Sequence, residues 1–125
     1  MSWLLVFLGG GLGALCRLAV ARILPAVDLP AGGFPWATFT ANLLACLLLG
    51  AGLSLVTRSQ LSPNQQLFAL TGFCGGFSTF STFAGDVLVL MQGGHFWTAF
   101  TYLAASVACG VLAIFGVLLV TAAAA

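Results

Sequence analysis

Four long apolar blocks, at approximately 3–24, 35–56, 65–91 and 96–122, occupy almost the whole chain. Each reaches the roughly 20 residues that a helix needs to cross about 30 Å of hydrocarbon. Between them the connections are short. Only 4% of the 125 residues are charged and 62% are hydrophobic, whereas a soluble domain carries roughly a quarter charged residues. Such a chain cannot cover a water-exposed surface. The expectation is an all-α integral membrane protein, a single transmembrane domain spanning residues 1–125 with four transmembrane helices.

The few charges exclude several classes of function. They are Arg17, Arg22, Arg58, Asp28 and Asp86, with His95 the lone histidine. No basic patch is present to hold nucleic acid. One histidine beside a turn, with no acid close in sequence, makes no catalytic set, so an enzyme is not expected. Cys16, Cys46, Cys74 and Cys109 fall one to a block without C-x-x-C spacing. They read as small apolar packing residues rather than disulfides or metal ligands. The first block lacks a basic flank and a cleavage site, and reads as a retained helix rather than a leader.

With four spans, Arg58 marks one side and Arg22 the other, with Arg17 in the far half of the first helix. Positive charge on short loops sets orientation, and here it is nearly balanced. Two outcomes stay open: insertion in both directions, which leads to an antiparallel homodimer, or a single orientation.

Polar residues inside the blocks carry the remaining information. Gly9 and Gly13 have the spacing that lets two helices approach closely. Arg17, among apolar neighbours, must snorkel, cap carbonyls or lie at an interface. Thr38 and Asn42 share a helix face, and Asn42 is an amide that needs partners in hydrocarbon. Tyr102, Ser106 and Gly110, at spacings of four, form a stripe on the last helix.

The third block is the most unusual. From Gly72 to Asp86 it reads Gly-Phe-Cys-Gly-Gly-Phe-Ser-Thr-Phe-Ser-Thr-Phe-Ala-Gly-Asp. The Gly75–Gly76 pair and the hydroxyls after it are weak helix formers, so a break near the middle of the third helix is expected. Freed N–H and C=O groups are tolerated in a membrane only inside protein or beside a cavity. Half-helix ends of this kind bind ions in transporters. Phe80 and Phe83, three apart, share a face, and the positive edge of an aromatic ring can solvate an anion weakly. Weak binding suits conduction.

In these motifs the chain resembles the Fluc, or CrcB, fluoride channels. The resemblance covers nearly the whole length and rests on Gly9-Gly-Gly-x-Gly-Ala-x-x-Arg17, on Thr38-x-x-x-Asn42 and on the run from Gly72 to Phe83. It implies a fluoride-selective channel for passive fluoride export in the cell (inner) membrane. It further implies a dual-topology antiparallel homodimer with two pores. Asn42, Phe80, Phe83, Ser81, Thr82, Tyr102 and Ser106 would belong to the fluoride pathway. Backbone carbonyls of Gly75 and Ser78 would hold a structural sodium ion at the dimer centre, and Arg17 would lie near the interface and vestibule. Three positions depart from the family pattern: Asp86 where glutamate is frequent, Gly110 where the track often carries a hydroxyl, and Leu18 where an aromatic usually follows the arginine. The alternative is a dual-topology proton-coupled exporter. Exporters of that kind rely on a first-helix glutamate, and here Asp86 is the one candidate proton carrier.

Overall fold

The computed structural model describes residues 1–125, and all its regular elements are helical. They are α1 (Ser2–Ile23), α2 (Trp36–Thr57), α3 (63–77), α4 (Phe80–Gln92) and α5 (Phe96–Ala123). Here α3 and α4 are halves of one apolar span, Pro63–Gln92, so four helices are long and apolar enough to cross a membrane. Within α3, Pro63–Gln66 and Gly75–Phe77 are α-helical, while Leu67–Cys74 forms wider π turns.

Local chemistry sets the helix ends. Ser62 caps α3: its hydroxyl accepts from the Gln65 N–H at 3.3 Å, and the Gln65 side chain accepts from the Ser62 N–H at 2.8 Å. Pro63 follows at the first helical position, where its missing N–H does no harm. α2 ends with Ser59 in the left-handed region at φ 56°, and the Gln60 N–H returns to the Leu55 carbonyl. α4 ends the same way at Gly94, φ 80°, with the His95 N–H on the Leu90 carbonyl.

Glycines bring α1 and α3 together backbone to backbone. A methyl on Gly9 would strike the Phe68 carbonyl, and one on Gly13 would strike the Phe73 carbonyl and the Phe77 N–H. A methyl on Gly76 would strike the backbone of Gly10. Between lipid-solvated helices, close packing of this kind is a main source of association.

Only 16 of the 125 residues are buried, and six of them make two small apolar clusters. One joins Ala41, Ala45 and Phe77, and the other joins Leu90, Ala99 and Tyr102. Large apolar side chains such as Trp3, Phe7, Trp97 and Phe100 face outward, as lipid or another membrane protein requires. The loops are tied at each end. His95 Nε2 lies 3.0 Å from the Pro30 carbonyl, and the Arg58 guanidinium donates to the Thr121 carbonyl.

Candidate functional site

The third span breaks after the glycine pair rather than at it. Gly75 has ordinary helical angles (φ −63°, ψ −39°). The extended residues are Ser78 (φ −74°, ψ 158°) and Thr79 (φ −150°, ψ 116°). Hydroxyl side chains compete with the backbone for hydrogen bonds, and they take over here. Ser78 Oγ donates to the Cys74 carbonyl at 2.9 Å. Thr79 Oγ1 caps α4, accepting from the Thr82 N–H at 3.3 Å, and donates to Thr82 Oγ1 at 3.1 Å. Ser81 Oγ lies 3.4 Å from the same oxygen. Ser81 and Thr82 thus gather about Thr79 at the start of α4.

Neighbouring helices complete the break. Asn42 of α2 meets both polar groups of Thr79: its Oδ1 accepts the Thr79 N–H at 2.7 Å, and its Nδ2 donates to the Thr79 carbonyl at 3.3 Å. One amide N–H of Asn42 has no partner in the chain. From α1, Arg17 Nε donates to the Gly76 carbonyl at 3.2 Å, which is carbonyl capping, one of the roles open to Arg17. Among the carbonyls that lose their usual helical donors are those of Gly75 and Ser78. The Thr79 N–H, which would serve Gly75 in a continuous helix, goes to Asn42; the Thr82 N–H, which would serve Ser78, goes to Thr79 Oγ1.

An open cleft of about 270 Å³ lies against the break, lined by Asn42, Cys46, Ser78, Thr79, Phe80, Phe83, Ser106 and Val107. Ser106 Oγ is buried there and has no hydrogen-bond partner. Phe80 is 79% exposed, and its ring centroid lies 6.0 Å from that of Phe83. On the other side of Thr79 is a second cleft of about 170 Å³, where Arg17, Thr38 and Thr82 meet.

Asn42, Phe80, Phe83 and Ser106 therefore share one cleft, with Ser78 at its wall. Ser81 and Thr82 line no part of it. Tyr102 is fully buried behind Phe83, with ring centroids 5.0 Å apart and edge-on. Its hydroxyl donates to Asp86 Oδ2 at 3.1 Å. Sequence reasoning missed this pair. The available signal was that an acid within a span must find a donor, and Tyr102 is the sole tyrosine. Cys46 was missed as a lining residue, although it follows Asn42 by one helical turn on the same face. The π turns of α3 carry no compositional signal.

An interrupted span, sealed by an amide and a guanidinium from its neighbours and flanked by clefts into which a few polar side chains reach, defines a multi-pass helical membrane protein with a polar site at a helix break. Residues 4–118 match the family described as CrcB-like protein, Camphor Resistance (CrcB). The chain belongs to this family. It is 40% identical over 116 residues to the fluoride-specific ion channel FluC of Phocaeicola vulgatus, covering 90% of this chain and 92% of the relative. It is 41% identical over 113 residues to the protein of that name from Bacteroides fragilis, covering 87% of each. The Pyrococcus horikoshii protein of that name is 38% identical over 112 residues, covering 89% of this chain and 88% of the relative.

Proposed function

We propose that the chain forms a fluoride-selective channel for passive fluoride export, with the cleft beside the third-span break as the ion's path. The observation that carries this reading is the Ser106 hydroxyl, buried and unpartnered in the cleft that Asn42, Phe80 and Phe83 share. Fluoride is small, strongly hydrated and a good hydrogen-bond acceptor. The Ser106 O–H and the free Asn42 N–H can replace part of its water. Ring edges of Phe80 and Phe83 add weak attraction without a fixed cation that would trap the ion. The names of the relatives support fluoride as the anion. Arg17, Thr38 and Thr82 would form an approach on the far side of Thr79, with Ser81 beside them. Tyr102 enters the reading as the ring that braces Phe83 from behind.

The active unit in this proposal is an antiparallel dual-topology homodimer with two pores. Two features favour a partner copy. Phe80 is far more exposed than a pathway side chain in a finished pore would be, and the face around Gly75 is open. A structural sodium ion would sit on the Gly75 and Ser78 carbonyls of both copies. The donor set fits: both carbonyls have had their usual helical N–H partners drawn away, and a hard cation takes oxygen ligands. Bound there, sodium would neutralise inward-pointing carbonyl dipoles.

Purified protein in liposomes tests the function. Fluoride efflux should be rapid and chloride efflux slow. Equal efflux of the two anions, or none above empty vesicles, would overturn the reading.

A further inference from the structure

The four thiols are not equivalent in the fold. Cys16 packs against the Ala41, Ala45 and Phe77 cluster, and Cys109 lines neither of the cavities that Cys46 borders. Cys46 and Cys74, on α2 and α3, share a cavity of about 200 Å³ with Leu49, Leu70, Gly75 and Ser78. Cys46 also borders the cleft of Asn42, Phe80 and Ser106. Its position is set by Gly110 on α5: a methyl there would come within 3.2 Å of Cys46 Sγ. The glycine that interrupts the polar track thus makes room for a sulfur in the wall between two cavities.

We propose that Cys46 and Cys74 form a binding site for a thiophilic divalent cation of the mercuric type, and that occupying it closes the cleft. Soft thiolates select soft cations over sodium or magnesium. Each thiol gives up its proton as its sulfur binds the metal, so two S–H groups and one Hg²⁺ yield S–Hg–S and two released protons. That complex is neutral, which matters within a membrane-spanning segment, where uncompensated charge is costly. The space between the two thiols opens beside the cleft, and a metal joined to Cys46 stands at the wall that Asn42 and Phe80 line. The binding claim is independent of the channel reading; the closure claim rests on it.

The test uses the full chain carrying Cys16→Ala and Cys109→Ala, which leaves only the proposed pair. Mercuric chloride is the probe, read by native mass spectrometry, by sulfur-to-mercury absorption in the ultraviolet, and by fluoride efflux from liposomes. The expected result is one mercury per chain with two protons lost, and arrested efflux restored by excess dithiothreitol. Adding Cys46→Ser or Cys74→Ser should abolish retention against a glutathione competitor; alanine at either site serves if serine prevents folding. Two mercury atoms per chain, none, or unchanged retention without Cys74 would overturn the site. Uptake of one mercury with undiminished efflux would overturn the closure. A chain that never conducts fluoride would refute the channel reading while the mass measurement still judged the site.

Discussion

Asn42 holds the break closed and lines the cleft with the same amide. Both polar groups of Thr79 depend on it. Asn42→Ala leaves that N–H and C=O unpaired, and each unmet group costs about 1–3 kcal/mol when buried. The variant should unfold earlier in detergent than the parent and lose most fluoride efflux; unchanged melting would mean that the break holds without the amide. Ser106→Ala should behave in the opposite way. It removes a hydroxyl with no partner, so melting should stay level or rise while efflux falls. A marked loss of stability would show that the hydroxyl is bonded in the membrane. At this scale much was legible. A lone amide and a lone arginine in apolar spans need partners, and carbonyl capping by Arg17 was among the roles foreseen. The Tyr102–Asp86 bond was not legible, because nothing local makes residues on two different helices face each other.

For the elements, composition and packing point to different jobs for the same glycines. Gly75, Gly76 and the hydroxyl run after them are poor helix formers, so sequence puts the break within this stretch. The fold keeps both glycines helical, and Gly76 serves the close approach to α1. The break falls on Ser78 and Thr79, where hydroxyls, Asn42 and Arg17 replace the lost helical bonds. Propensity could signal weakness in this stretch, but only tertiary partners fix the residue where the helix gives way. The π turns over Leu67–Cys74 were hidden for a related reason: such turns mark local packing rather than a residue preference. The contact between α1 and α3 makes a sharp comparison. Gly13→Ala would push against the Phe73 carbonyl and the Phe77 N–H, whereas a methyl on Gly11 meets nothing within 4 Å. Thermal unfolding should show Gly13→Ala destabilised by about 1–3 kcal/mol, as overpacking generally is, and Gly11→Ala level with the parent or above it. Equal stability of the two variants would dissolve the glycine seam.

The molecule as a whole leaves far more of its large apolar side chains exposed than buried, and its spans leave the break open on one side. Four spans were legible from hydropathy alone, because hydrocarbon demands length and few charges. The partner that would cover the open side was not, since near-balanced arginines leave orientation undecided. Gly75 offers a way to find that partner. Within the chain an added methyl there meets nothing within 4 Å, and alanine favours a helix by about 1 kcal/mol over glycine. Gly75→Ala should therefore leave the fold intact yet weaken pairing, read as faster subunit exchange by fluorescence transfer between labelled copies. Unaltered exchange would place the partner elsewhere. The central claim is that fluoride passes beside the break, and Phe80 tests it most directly, because so exposed a ring contributes little to the fold of the chain. Fluoride efflux from liposomes holding equal amounts of wild-type and Phe80→Ile protein is the measurement. The predicted result is a steep fall in rate for Phe80→Ile with unchanged melting and an intact dimer; efflux equal to wild type would contradict a path along this cleft.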